Sequence, residues 1–90
     1  MEEYRLNGLR MTSRQEAHAY LKRKLYFPDY YGNNLDALWD QLTTLRIPCR
    51  IVIRHPDALQ ASLGDYGDRL LDTFREASRQ VPGLEVVVED

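Results

Sequence analysis

The sequence of 90 residues predicts an α/β fold, a three-stranded parallel sheet packed against helices. Three short β-prone runs are separated by segments whose apolar residues recur at helical spacing. Strands that are separated by helices need crossover connections, and such connections favour parallel pairing. The chain has no internal repeat, low-complexity tract or linker. We therefore expect residues 1–90 to form a single domain.

The first elements are a short strand and a helix. Tyr4 to Leu6 alternates apolar and polar residues and is closed by the turn pair Asn7-Gly8. Ser13, followed three residues later by Glu16, forms a capping-box pattern that opens a helix, and Pro28 stops this helix. Its apolar stripe consists of Ala17, Tyr20, Leu21 and Leu25.

A second helix is predicted over residues 35–45. Asn34 is a favourable N-cap, and Pro48 ends the segment. The β-branched run Arg50 to Arg54 then predicts a buried strand. The apolar positions of the helix are Leu35, Leu38, Trp39, Leu42 and Leu45.

The last third of the chain predicts a turn, two helical segments and a strand. His55-Pro56-Asp57 turns the chain, and residues 57–63 are expected to form a short helical turn. A longer helix is predicted from Asp65 to Gln80, and Pro82-Gly83 breaks it. Leu84 to Val88 is the final strand. The apolar face of the longer helix is Tyr66, Leu70, Phe74, Ala77 and Val81.

Composition excludes several classes of protein. A formal net charge of -2 argues against a general nucleic-acid binder, which needs a basic face for phosphates. The first residues lack the apolar core of a secretory signal, and no apolar run is long enough to span a membrane. Cys49 is the single cysteine, so no internal disulfide can form. We therefore expect a cytoplasmic protein.

Charge is distributed unevenly along the chain. Six basic residues between Arg5 and Lys24 are opposed by one acid, Glu16, whereas Leu25 to Leu45 contains no lysine or arginine. An acidic, aromatic segment without cations is typical of a contact surface. The acids and aromatic residues of this segment are Tyr26, Phe27, Asp29, Tyr30, Tyr31, Asp36, Trp39 and Asp40.

Two aspartates of the second helix are the strongest indication of a contact surface in this segment. Asp36 and Asp40 are one turn apart, so they repel each other, and no lysine at helical spacing relieves either one. Asp36 is near the helix N-terminus, where the dipole favours it, but Asp40 is not. From the pattern alone, a solvated helix face remains an alternative. Trp39 fits a core position as well as a contact surface.

The segment from Phe27 to Asp40 resembles the barstar family of ribonuclease inhibitors. It carries the long motif P-x-Y-Y-G-x-N-L-D-A-L-W-D, and Phe74 to Ala77 is similar to the last helix of the family. The order of elements agrees over nearly the whole chain. The resemblance implies a barstar-like domain and an intracellular inhibitor of a secreted, guanyl-specific microbial ribonuclease.

The resemblance also implies how such an inhibitor binds. It forms a 1:1 complex with a basic ribonuclease, and Asp40 enters the site of the RNA phosphate. The free protein is expected to be a monomer without catalytic residues, cofactor, metal or direct contact with nucleic acid or membrane. The implied partner-binding residues are Tyr30, Gly32, Asn34, Leu35, Asp36, Ala37, Trp39, Asp40, Thr43, Leu45 and Glu76.

The sequence departs from the family pattern after the motif. Thr44-Leu45 stands where the type member has a glycine and a tryptophan, and Gln41 replaces a cysteine. Arg46, Arg50 and Arg54 make this flank more basic. These changes leave the binding mode intact but open the identity of the ribonuclease.

Three other functions are compared with inhibition. An enzyme could use Asp36 and Asp40 as an acid/base pair, but ribonucleases also need cations on the phosphate. A metal site is disfavoured because Cys49, His18 and His55 lack ligand spacing; we expect Cys49 to flank a strand and His18 to lie on a helix surface. An interaction protein that uses the same acidic face on a different basic partner remains open.

Overall fold

A parallel sheet lies at the centre of the fold, and the computed structural model describes residues 2–45 and 48–89. The central strand is Cys49–Arg54, with Glu2–Asn7 and Leu84–Glu89 on either side, and both pairs are parallel, as the sequence predicts. In chain order the elements are β1 (Glu2–Asn7), a 3₁₀ helix (Gly8–Arg10), α1 (Arg14–Leu25), α2 (Leu35–Thr43), β2 (Cys49–Arg54), α3 (Pro56–Leu63), α4 (Asp65–Gln80) and β3 (Leu84–Glu89).

One face of the sheet packs against the helices, and charged side chains cover the other. On the outer face Val52 is only 5% exposed although it lies outside the core cluster. Arg50 passes beside it and makes ion pairs with Glu3 at 3.5 Å and Glu85 at 2.7 Å. Parallel sheets are usually covered by helices on both faces, so here an ion-paired layer of side chains takes the place of the second helical layer. The core-facing strand residues are Tyr4, Leu6, Cys49, Ile51, Ile53, Leu84, Val86 and Val88.

The start of α1 is set by the predicted cap. The Ser13 hydroxyl accepts a hydrogen bond from the Glu16 N–H at 3.1 Å. The helix ends earlier than the expected stop at Pro28. Tyr26 takes the left-handed conformation (φ 58°), and its N–H donates to the Lys22 carbonyl. A left-handed residue is a common helix terminator, so Tyr26 rather than the proline ends α1.

Several element bounds differ from the prediction. The strand β1 is longer than Tyr4 to Leu6, and the Asn7-Gly8 pair leads into the 3₁₀ helix because the Asn7 side chain accepts from the Leu9 N–H. The helix α3 is a full helix that begins at Pro56, a residue well suited to the first helical position. The helix α2 ends at Thr43, so Leu45 lies beyond it.

The helix α4 supplies the largest share of the core. Its bounds are those predicted, and Tyr66, Leu70, Phe74 and Ala77 are buried as expected. Val81 follows the helix and is half-buried. Cys49, predicted to flank a strand, is the first residue of β2 and is buried. Burial raises the pKa of its thiol, which keeps it protonated and unreactive.

Gly8 allows the end of β1 to lie directly against the turn that follows β2. A Cβ atom at this position would be 2.2 Å from the His55 carbonyl oxygen and 2.9 Å from the Arg54 carbonyl oxygen. His55 itself has a left-handed backbone, with φ 56°. The two strand ends therefore touch through backbone atoms, at a point where no side chain fits.

No helix within residues 2–45 and 48–89 is long and apolar enough to cross a membrane.

Candidate functional site

The helix α2 presents both predicted aspartates to solvent. The Asn34 side chain accepts a hydrogen bond from the Ala37 N–H at 2.7 Å and starts the helix where the sequence predicts. Leu38 and Leu42 are buried, so the opposite side of α2 faces outward. Asp36 and Asp40 are exposed on that outward side, one turn apart. We refer to Asp36, Asp40 and their neighbours Leu35 and Trp39 as the acidic face.

Asp40 has no stabilising partner within the described residues. Six other carboxylates make ion pairs, and two more accept hydrogen bonds from Tyr4 and Gln60. The remaining ones, apart from Asp40, lie in the first turn of a helix, where the dipole favours negative charge. Asp40 lies in the middle of α2 with no ion pair, no side-chain hydrogen bond and no helix N-terminus. Nothing in the described part of the fold explains this charge.

A groove of about 430 Å³ runs beside the acidic face, between α2 and α4. Leu35 and Trp39 line its α2 side, and both side chains are half-buried. Trp39 therefore packs partly against the core and is partly exposed in the groove. Glu76 lines the α4 side and is ion-paired with Arg79. An aromatic and an aliphatic side chain beside exposed carboxylates give the surface the mixed character of protein–protein contact sites.

Arg69 is a cation at this groove that the sequence analysis missed. It lines the groove together with Asp36, although no ion pair joins them. Its guanidinium carbon lies 5.7 Å from the centre of the Tyr66 ring, and that of Arg14 lies 4.2 Å from the same centre. Arg69 is seven residues before Glu76 on α4, so helical spacing could have placed both on one face. The acidic face thus has a basic flank.

The loop before α2 holds one exposed and one buried tyrosine. Tyr30 is 82% exposed, whereas Tyr31 is 5% exposed and packs on Phe27 with ring centres 4.8 Å apart. The Tyr31 N–H donates to the Pro28 carbonyl at 3.0 Å. Tyr31 anchors the loop, and Tyr30 is left free to make contacts outside the chain.

A buried histidine, His18, holds Tyr31 in place, and here the sequence-based expectation was wrong. His18 was expected on a helix surface but is 1% exposed. Its Nδ1 lies 2.7 Å from the Tyr31 hydroxyl, and its Nε2 lies 2.6 Å from the Tyr66 hydroxyl. A neutral imidazole can donate to one hydroxyl and accept from the other, so the pair of tyrosines satisfies it. The histidine joins α1, the loop and α4.

The His18 network predicts a loss of stability in mild acid. Burial lowers the pKa of His18 below its ordinary value of 6.5, so below about pH 6.5 the unfolded chain binds a proton that the folded chain does not. The free energy of unfolding should therefore fall between pH 7 and 5.5, by at most about 1.4 kcal/mol per pH unit from this group. Urea unfolding at several pH values measures it. His18→Gln should remove this part of the slope, and an unchanged slope would contradict the assignment.

The other predicted contact residues lie in different environments. Gly32 is exposed in the loop, and Ala37 is half-buried on α2. The Thr43 hydroxyl donates to the Trp39 carbonyl at 2.8 Å, so Thr43 closes the last turn of α2. Leu45 packs against the core and lines a small hollow with Leu42. Leu45 thus contributes to the core beneath α2.

Within the described residues, no group of three histidine, cysteine or carboxylate side chains is placed to hold a metal ion.

The chain is similar to known proteins over nearly its whole length. The family model described as "Barstar (barnase inhibitor)" matches residues 1–89. The chain is also similar to a protein of Bacillus subtilis (strain 168) that bears the name "Putative ribonuclease inhibitor YrdF". The two are 35% identical over 91 residues, a match that covers 99% of this chain and 100% of the relative.

Proposed function

This chain belongs to the barstar family, and on that premise we propose that it is a protein inhibitor of a ribonuclease and not an enzyme. The proposed target is a basic, secreted, guanyl-specific microbial ribonuclease, which the protein binds 1:1 inside the cell. The helix α2 and the loop before it cover the active site, and Asp40 takes the place of an RNA phosphate. The inhibitor acts as a single-domain monomer without a cofactor and does not itself bind RNA.

The observation that carries this proposal is the isolated charge of Asp40. An exposed carboxylate without a partner is neutral to the stability of the free protein at best. In a complex it can accept paired hydrogen bonds from an arginine that otherwise binds phosphate. Asp36 adds a second negative charge one turn away on the same exposed side. The acidic face therefore favours binding of a cationic partner and adds little to the stability of the chain.

The arrangement also fits rapid recognition of a cationic active site. Two adjacent carboxylates raise the association rate with a basic protein, and salt screens this effect. Tyr30 in the loop before α2 and Trp39 on α2 supply aromatic surface. Arg69 and Arg14 on the flank favour partners that place an acidic or neutral group there. These cations would help the inhibitor to distinguish one ribonuclease from another.

A second candidate is an interaction protein that uses the same face on a basic protein that is not a ribonuclease. The observation that favours it is the basic flank of Arg14 and Arg69, which lies outside the segment that resembles the barstar family. Both functions use Asp36 and Asp40, so only the partner distinguishes them.

The test is a titration of the purified protein into a panel of microbial guanyl-specific ribonucleases while RNA cleavage is followed. We expect at least one enzyme to lose activity in proportion to added protein, with an end point at one equivalent. The association rate should fall steeply as salt is raised from 50 to 500 mM. Inhibition of no ribonuclease would favour the second candidate, and RNA cleavage by the protein itself would contradict both.

A further inference from the structure

A cavity of about 470 Å³ opens at the carboxyl ends of β1 and β2. We call it the basic cleft, because five cationic side chains and no carboxylate line it. It shares no lining residue with the groove beside α2. The five cations are Arg5, Arg10, Arg23, Lys24 and Arg54.

Most of this positive charge is uncompensated. Arg5 pairs with Glu3 at 2.9 Å, and Arg54 lies 3.6 Å from Glu89. Within residues 2–45 and 48–89, the other three cations of the cleft make no ion pair. Two of them, Arg23 and Lys24, are in the last turn of α1, where the helix dipole favours cations. The dipole of α1 does not explain why Arg10, which belongs to the 3₁₀ helix, lines the same cavity.

The backbone around the cleft is held in a costly conformation. His55 lines the cleft with φ 56°, a left-handed conformation that is unfavourable for a residue with a side chain. Gly8 makes the close contact with its carbonyl that holds the two strand ends together. The cleft lies outside the carboxyl ends of β1 and β2, where Asn7, Arg54 and His55 line it. The cations that converge on this cleft without an ion pair in the described chain therefore point to a binding site for an anion.

The chemistry of the lining selects the ligand class. Several guanidinium groups around a small cavity match the oxygens of linked phosphates. The phenol ring of Tyr20 in the lining is buried and its hydroxyl accepts a hydrogen bond from the Asn7 N–H at 2.9 Å, so this ring offers no platform for a base. The volume suits a small molecule. We propose that the basic cleft binds an oligophosphate of two or three phosphoryl groups, free or as part of a nucleoside triphosphate.

The experiment uses inorganic tripolyphosphate as the probe and calorimetric titration at 50 and 200 mM salt. We expect 1:1 binding that weakens with salt, and NMR amide shifts centred on Asn7, Arg10 and His55. Arg10→Gln and Arg23→Gln should each weaken binding by about 10- to 100-fold, the usual effect of a charge-assisted hydrogen bond. The matched control is Arg75→Gln, which removes an exposed cation from α4, away from the cleft.

The outcomes separate the sources of phosphate and the competing partner. Equal affinity for tripolyphosphate and a nucleoside triphosphate supports recognition of the phosphate chain alone. Tighter binding of the nucleotide that Arg10→Gln and Arg23→Gln still weaken supports the same site with added contacts. An equal loss in Arg75→Gln, or no binding at 50 mM salt, overturns the proposal. Tighter binding of a short single-stranded RNA without terminal phosphates also overturns it in favour of an RNA groove. Because the cleft does not involve the acidic face, failure here leaves ribonuclease inhibition untouched.

Discussion

Replacing Asp40 with alanine should weaken the complex with the inhibited ribonuclease by about 2–5 kcal/mol, which is a loss of roughly 30- to several-thousand-fold in affinity. This is the general range for one partner of a buried charge pair, and the type complex of the family contributes to it. The loss is large because the cations of the enzyme would be buried without a partner. Stability should change little, because Asp40 has no ion pair or side-chain hydrogen bond within the described residues.

Inhibition titrations with Asp40→Ala and two matched variants measure this effect. Asp40→Asn keeps the shape of the side chain and removes its charge, so it should lose most of the same affinity. Asp57→Ala makes the same change of charge at an exposed position on α3 and should keep inhibition nearly intact. The loss should appear chiefly in the dissociation rate. Equal losses in Asp40→Ala and Asp57→Ala would show that only overall charge matters and would remove Asp40 from the centre of the interface.

Gly8→Ala should destabilise the fold by about 3 kcal/mol or more, a large part of the stability of a domain of this size. The new Cβ would overlap the His55 carbonyl oxygen at 2.2 Å and crowd the Arg54 carbonyl oxygen at 2.9 Å. Both are backbone atoms, so no side-chain rotation can relieve the contact. Either the end of β1 or the turn after β2 must move, and that movement disturbs the sheet.

Urea unfolding of Gly8→Ala and Gly32→Ala provides the comparison. A Cβ at Gly32 would meet only side-chain atoms, the Ala37 methyl group at 3.3 Å and the Asn34 amide nitrogen at 3.7 Å, so that variant should lose under about 1 kcal/mol. If Gly8→Ala does not fold, circular dichroism will show the loss of structure directly. A stability within about 0.5 kcal/mol of the parent chain would mean that the close contact of the strand ends is not needed.

Local signals explain why most of the fold could be predicted. Ser13 and Asn34 each cap a helix through a side chain that the sequence displays, and the β-branched run around Ile51 marks the central strand. The period of Leu70 and Phe74 fixes the inner face of α4. Element ends were less certain. The left-handed Tyr26 ends α1 ahead of the proline, and no local pattern indicates that choice.

His18 shows what local reasoning could not reach. Histidine is intermediate in its tendency to be buried, and the burial of His18 depends on the hydroxyls of Tyr31 and Tyr66, which are distant in sequence. Four of the five cations of the basic cleft belong to the basic stretch from Arg5 to Lys24, but the sequence does not show that they line one cavity with Arg54, because they come from separate elements. For the acidic face, Asp36 and Asp40 could be identified as exposed and adjacent from helical spacing alone. Helical spacing could also have placed Arg69 on one face with Glu76, but its position beside Asp36 depends on how α4 packs against α2, which the sequence does not show.

The order of the strands has a consequence for how the chain acquires its shape. Each strand pair joins residues far apart, such as Glu2 with Cys49 and Cys49 with Leu84. Closing such long loops costs more chain entropy than forming the local contacts of a helix, and folds rich in distant contacts fold slowly. The helix α2 lies inside the loop closed by β1 and β2. We therefore expect the surface that carries Asp36 and Asp40 to take its final position only when β1 has paired with β2, so it depends on the cooperative folding of the domain and not on its own segment alone.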